Sequence, residues 1–245
     1  MYLLITLIAL IAGILIGTIG IGGVILVPLL SFVMNIDLHT AMSASSMSFL
    51  FPAVVGTLTY AKKGSIIWEA VLWLSLGIIP AAVLGALVNT NLDTDVLILI
   101  VAGLLAFSGI NVFFNRQSES GTVPDLRRIL LIFIGVVVGF GSALTGTGGP
   151  VLLIPVLITL SYPALKTIGI SQAVQLPIAV FAVIGFLLYG QIDLRLGLHL
   201  GIAQAAGVFI GAQIAHRLPV VQLRRLVAIA LIGVGALMVW LIVAA

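Results

Sequence analysis

The sequence predicts an all-α integral membrane protein made of two inverted repeats, each opening with a glycine-broken, re-entrant helical hairpin and continuing through about three spanning helices. Three observations carry this expectation. Hydrophobic residues fill 62% of the 245 positions and charged residues only 7%, against a charged share of roughly 25% in soluble domains. Two apolar runs are interrupted by the same glycine pattern, Gly20-Ile21-Gly22-Gly23 and Gly146-Thr147-Gly148-Gly149. The Lys and Arg residues gather on one side of the membrane only if those broken runs enter and leave on the same side.

Composition limits the function classes. The apolar runs suffice for about seven or eight crossings, since traversing the hydrocarbon takes roughly 20 helical residues. The longest polar stretch, residues 115–128, is a connector and too short for a nucleotide-binding or catalytic domain, which argues against a single-chain ATP-driven pump. The net charge of +3 comes from ten Lys and Arg against seven Asp and Glu. Those cations sit in short loops, where topology accounts for them without a nucleic-acid partner. With no cysteine, disulfides, thiolate chemistry and Cys-bound metal are excluded, and no cofactor or metal is expected. The opening Met-Tyr-Leu-Leu-Ile has neither a basic n-region nor an obvious Ala-x-Ala site, so no removable signal peptide is expected.

Taken in order, residues 3–34 form the first broken run, and 38–60 the next, which opens with Ser43, Ser45, Ser46 and Ser48, contains Pro52 and is closed by Lys62-Lys63-Gly64. Residues 66–88 read as a cleaner span, 89–95 as a polar turn, and 96–114 as a span ending before Arg116. The second half repeats this order: 129–160 is broken at the second glycine cluster, 165–189 carries Gln172, Gln175 and Pro177, 194–215 carries His199 and Gln204, and 221–243 finishes the chain. The expected division is a first repeat at 1–114, a cytoplasmic connector at 115–128 and a second repeat at 129–245.

A shift of 126 residues superposes Gly13 on Gly139, Gly20 on Gly146, Gly22 on Gly148, Gly23 on Gly149, Ser45 on Ser171, Gly64 on Gly190, Gly85 on Gly211 and Gly109 on Gly235. Apolar identities arise by chance in such a background, but matched Gly and Ser positions in one register indicate an internal duplication. Four crossings per half would divide the cations six against four. Three net crossings per half leave only Arg195 opposite the other nine, as the positive-inside rule expects. An odd number of crossings also inverts the second half and puts both termini outside, in the cytoplasmic (inner) membrane of a prokaryote.

A helix interrupted in lipid leaves backbone groups unsatisfied, so each break must be buried in protein or line a water-filled cavity. No Lys or Arg lies near the middle of an apolar run, which leaves backbone as the device for holding an anion. Helices restarting at Val24 and Pro150 would aim free N–H groups and the positive end of the helix dipole at the breaks. Gly20, Gly22, Gly23, Gly146, Gly148 and Gly149 would give close backbone approach, and Ser45, Ser46, Thr145, Thr147, Ser171, Gln172 and Gln175 would add neutral donors. Gly13, Gly17, Gly85 and Gly211 read instead as helix-packing positions, and some of the serines as bonding back to their own helices. His199 and Glu69 are the candidates for proton coupling, although both stand near helix ends, where an interfacial role competes. Asp37, His39, Asp93, Asp95 and Asp193 read as loop residues or caps, and Trp68, Trp73, Trp240 and Tyr60 partly as an interfacial belt.

The motifs Gly17-x-x-Gly20-x-Gly22-Gly23-x4-Pro28 and Gly146-x-Gly148-Gly149-Pro150-x4-Pro155, followed by Ser43–Ser48 and Ser171–Gln175, resemble the sulfite exporter TauE/SafE family over essentially the whole chain. The resemblance implies secondary transport of sulfur-containing or organic anions such as sulfite, thiosulfate, sulfoacetate or other sulfonates. Its partners would be the small anionic substrate and the lipid bilayer, and it admits a homo-oligomer. Gln172 and Gln175 stand opposite Ser46 and Phe49, so the site need not be symmetric. The competing classes are a substrate-binding or scaffold subunit working with a partner, docked through the basic loops 116–128 and 217–225, and a membrane enzyme. The enzyme reading lacks His-Glu-x-x-His, Gly-x-Ser-x-Gly and any paired Asp at midplane.

Overall fold

The computed structural model describes residues 2–92 and 127–219, together with Val96 and a few positions from Val221 to Gly233, and its regular elements there are all helices. The expected spans at 96–114 and 221–243, and most of the connector, lie outside the described residues. Helix α1 (Tyr2–Ile19) is followed by α2 (Gly23–Pro28), which runs on into a π-helical turn, Leu29–Val33. Next come α3 (Leu38–Ser48), α4 (Leu50–Lys62) and α5 (Trp68–Asn89). The second half supplies α6 (Arg128–Thr145), α7 (Pro150–Thr159), α8 (Ala164–Tyr189) and α9 (Leu194–Ala215).

Among the described residues, five helical segments are long and apolar enough to cross a membrane: the α3–α4 rod Leu38–Lys62, α5, α6, α8 and α9. At a rise of 1.5 Å per residue, 22 residues of α5 or α9 reach about 33 Å, against a hydrocarbon thickness of about 30 Å. Leu72, Leu76 and Leu84 on α5, and Ile129, Phe133 and Val137 on α6, are exposed, as expected of side chains that face lipid.

Local chemistry sets several boundaries. Asp37 caps α3 by accepting the Thr40 N–H at 3.0 Å, and Asp193 caps α9 by accepting the Leu196 N–H at 3.0 Å. The rod is interrupted only at Phe49. Pro52 has no N–H to offer the Ser48 carbonyl and crowds it, which places the fault one turn earlier.

The shift of 126 also relates the element bounds. A shift of 126 carries Tyr2–Ile19 onto Arg128–Thr145, the start of Leu38–Lys62 onto Ala164, and Trp68–Asn89 onto Leu194–Ala215. The same shift relates the packing as well, with the halves exchanged. A Cβ on Gly13 would collide with the backbone of Gln204, and one on Gly139 with the backbone of Ile78. Gly211 abuts the Ile14 carbonyl, and Gly85 the Phe140 carbonyl. These are backbone-to-backbone approaches that only small residues permit.

Helix directions follow from the same contacts. Gly13 and Gly17 of α1 meet Gln204 and Val208 of α9, so the two run in the same direction. Leu74 and Ile78 of α5 meet Gly135 and Gly139 of α6, again in the same direction. Met47 and Phe51 of the rod meet Gly197 and Gly201 of α9, while Ala86 and Thr90 meet Gly185 and Gly190 at the end of α8. The rod and α8 run oppositely, since Tyr60 lies by Gly169 and Thr57 bonds the Gln172 carbonyl. Helix α2 folds back along α1, with Gly22 against Ala12 and Ile16, and Leu26 and Leu30 clustered with Ala9 and Ile5. Helix α7 folds back along α6, where Leu152, Leu153 and Leu157 pack with Leu131, Ile134 and Val138.

Candidate functional site

The two glycine breaks meet inside the molecule. Helix α1 ends at Gly20 (φ +77), whose N–H donates to the carbonyls of Leu15 and Ile16. Helix α6 ends at Gly146 (φ +64), whose N–H donates to the Ser142 carbonyl. Both are left-handed C-caps, the conformation in which glycine carries no Cβ penalty. Beyond this point the halves differ. Gly148 and Gly149 also take positive φ, +81 and +95, whereas Gly22 caps α2 at φ −65. Gly23 is held to glycine by proximity: a Cβ there would lie 2.7 Å from the Thr147 carbonyl oxygen and 2.8 Å from Phe49 Cζ. A Cβ on Gly20 would run into Ile154 and lie 3.5 Å from Pro150 Cβ. Each break is thus packed on the restart of the other half.

The expected donors are spent unevenly. Ser46 donates back to Met42 O at 2.9 Å and Ser171 to Ile168 O at 2.8 Å, so both hydroxyls serve their own helices. Thr145 bonds Gly141 O at 2.7 Å and lies 2.9 Å from the Thr147 hydroxyl. Gln172 donates to the Ile16 carbonyl at 2.7 Å, stitching α8 to α1, and its Oε1 has no partner. Ser45 is fully buried with its Oγ unpartnered. Gln175 sets its Nε2 3.1 Å from where a Gly148 Cβ would stand, and its Oε1 is unpartnered.

Two polar side chains absent from the expected set also stand out. Ser142 is 1% exposed, its Oγ is unpartnered, and it lies 3.6 Å from the Gly149 Cβ position. Gln204 accepts from Ser48 at 3.3 Å and leaves its Nε2 unpartnered. Such orphans are costly in a low-dielectric interior. Spacing carried a signal for Ser142, which is one helical turn ahead of Gly146 on the face that runs into the break.

The polar atoms cluster on one break. Shifted by 126, Ser142, Thr145, Thr147 and Gln175 fall where the first half has Ile16, Ile19, Ile21 and Phe49. Phe49, fully buried, wedges between Gly23 and Gly148. Helix α7 begins at Gly149 without a side-chain cap and with Pro150 in its first turn. The second break therefore combines a helix N-terminus, left-handed glycines and neutral hydroxyl and amide groups with no charged side chain among them. Such a cage can hold a small anion through dipoles and hydrogen bonds.

The titratable groups lie elsewhere. Glu69 pairs with Arg128 at 3.5 Å, both side chains about two-thirds exposed, and Arg128 also sits 5.0 Å over the Trp73 ring. His199 lies 2.8 Å from the Thr6 hydroxyl where α9 meets α1. The Thr40 N–H holds the Asp37 carboxyl below its ordinary range. At the far end, burial lowers the pKa of His216, opposed by its bond to the Ala212 carbonyl. No group of three or more metal-ligating residues occurs among the described residues.

Among the described residues, five membrane-length helical segments and a buried, uncharged polar break define a multi-pass membrane protein. The family model described as Sulfite exporter TauE/SafE matches residues 5–238, and the chain belongs to that family. It is 26% identical over 231 residues to the "Probable membrane transporter protein YdhB" of Bacillus subtilis (strain 168), covering 91% of this chain and 94% of the relative. A "Probable membrane transporter protein" of Haemophilus influenzae is 25% identical over 196 residues, 77% of this chain and 74% of the relative. The "Probable membrane transporter protein MJ0441" of Methanocaldococcus jannaschii is 26% identical over 178 residues, 70% and 67% of the two chains. No solved structure matches.

Proposed function

We propose that the protein is a secondary transporter that moves sulfur-containing or organic anions, such as sulfite, thiosulfate, sulfoacetate or other sulfonates, across the cytoplasmic membrane by alternating access. The family description supports the substrate class. The observation that carries the site is the second break, where the buried, unpartnered Ser142 hydroxyl and the Gln175 Nε2 lie beside the uncapped start of α7. Thr145, Thr147 and the amides around Gly148 and Gly149 complete the proposed cage. Gly20, Gly22, Gly23, Ser45, Ser46, Ser171 and Gln172 frame it from the other half. A neutral cage also releases its anion more readily than a buried salt bridge would.

The proposed architecture is a pair of inverted repeats with re-entrant hairpins, both termini outside. Helix directions support it: α1, the rod and α5 run forward, forward and back, while α6, α8 and α9 run back, back and forward. In such a pair the broken elements meet near the pseudo-twofold axis, where rocking of one half exposes them to each side in turn. Thermal-shift and calorimetric titration of the purified protein with sulfite, thiosulfate and sulfoacetate tests the site. Gly149→Val should fold yet lose binding, while Thr147→Val and Ser142→Ala should weaken it roughly 3- to 100-fold, the span from a typical neutral hydrogen bond to one made to a charged ligand. Folded glycine variants that bind as the parent does would make the break a packing feature. Uptake into proteoliposomes containing this chain alone separates a transporter from a subunit that needs a partner.

A further inference from the structure

The duplication builds the same corner of the fold at each end of the molecule, and the two corners differ. At one end, where α3 begins and α5 and α8 finish, Asp37, His39, Asn89, Thr90 and Gln191 line an open cavity of about 400 Å3, with Phe186 at its side. A short chain of contacts leads from the cavity to the second break. Asn89, fully buried, donates to the Leu144 carbonyl at 2.6 Å and touches Met42, and Met42 abuts Gly146 at the second break.

At the opposite end, where α4 and α9 finish and α8 begins, the shift of 126 replaces Phe186 by Tyr60, Thr90 by His216 and Gln191 by Ser65. These three close on one another. The rings of Tyr60 and His216 lie 4.6 Å apart, and the Tyr60 hydroxyl donates to the Gly17 carbonyl at 2.7 Å. The Ala212 carbonyl can only accept, so it fixes a proton on His216 Nδ1 at 2.7 Å and leaves Nε2 to accept from Ser65 at 3.0 Å. Behind them Ile19, Ile21, Ile154, Ile168 and Ala215 form an apolar cluster, in which Ile19 and Ile21 stand where the other half has Thr145 and Thr147. Ala215 stands where the other half has Asn89.

We infer that the cavity is the mouth through which the anion reaches the second break, and that Tyr60, His216 and Ser65 are the closed seal of the duplicate mouth. Among the described residues, the first of these corners is then open and the second closed. This rests on the anion-transport reading. Under the proposed orientation the seal lies at the cytoplasmic end, beside Lys63 and Arg217, and the open mouth faces outward. Opening the seal would break the Tyr60 bond to Gly17 and separate Tyr60 from His216.

The cysteine-free chain allows a direct test in oriented vesicles with a membrane-impermeant maleimide. Thr90→Cys should react at least about tenfold faster from the mouth side than Ala215→Cys does from the other. Adding Tyr60→Ala to Ala215→Cys should raise its labelling rate about tenfold or more. His216→Ala should act in the same direction, and it serves as the seal variant if Tyr60→Ala does not fold. Labelling of Ala215→Cys as fast as Thr90→Cys in the otherwise unaltered chain, or no acceleration in either seal variant, overturns the inference. Labelling needs no substrate, so loss of the substrate reading through the binding titrations leaves this outcome separately readable.

Discussion

Gly23 and Gly149 occupy the same place in the two repeats and are held to glycine for different reasons, proximity at the first and positive φ at the second. Gly64 separates the two costs, because it has φ +65 with nothing within 4 Å of its Cβ position. Gly64→Ala should therefore cost about 1–2 kcal/mol, the left-handed penalty alone. Gly149→Ala should cost more, since its Cβ also meets Ile178; unfolding of both variants in one detergent checks the order. His216 carries the pH dependence expected at this scale. Its folded pKa is lowered, so it contributes stability that is present above the ordinary histidine range and lost as pH falls into and below it. Thermal midpoints at pH 7.5 and 5.5 should diverge for the parent and converge for His216→Asn. The glycine pattern was legible because glycine clusters in an apolar run have few uses. Ser142 was legible only as a hydroxyl one helical turn ahead of Gly146, because a lone serine in a membrane helix acquires its full meaning from what its hydroxyl faces.

Among the elements, the spans expected at 38–60, 66–88, 165–189 and 194–215 correspond to the rod Leu38–Lys62, α5, α8 and α9, because hydropathy and terminal polar residues fix where a lipid-crossing helix can stop. The fault at Phe49 and the π-turn at Leu29–Val33 were not anticipated. Pro52 signals the first, but proline in membrane helices is often absorbed without a break, as Pro80 and Pro177 are inside α5 and α8. The co-directional pairs α1 with α9 and α5 with α6 make a further prediction. Gly13→Val and Gly139→Val insert bulk into the same contact in opposite halves, against backbone that has no side chain to move aside. Each should destabilise by about 1–3 kcal/mol or more, and the two should be similar. A large inequality in unfolding in lipid or detergent would mean that the pseudo-symmetry of the contacts is not matched in energy.

For the molecule as a whole, two kinds of observation that do not depend on each other favour inversion of the halves. One is the distribution of charge, with nine cations against Arg195 alone when each half makes three net crossings. The other is the order of helix directions read from side-by-side contacts such as Gly13 with Gln204 and Leu74 with Gly135, none of which involves a charged residue. Sequence alone could supply the first, whereas the second requires knowing which helices touch. Both favour inversion, and the charges alone bear on which face is cytoplasmic. Under the proposed orientation Asn91, just past α5, lies at the outer end, and Ser118, which is outside the described residues, is expected on the cytoplasmic side. Single cysteines at Asn91 and Ser118 should accordingly be modified by an impermeant reagent from opposite faces of the membrane, Asn91→Cys from outside and Ser118→Cys from inside. If both react from the same face, the halves are not inverted. The two breaks would then no longer be exchanged by a rocking motion, and a fixed one-sided binding site would replace alternating access as the reading of the second break.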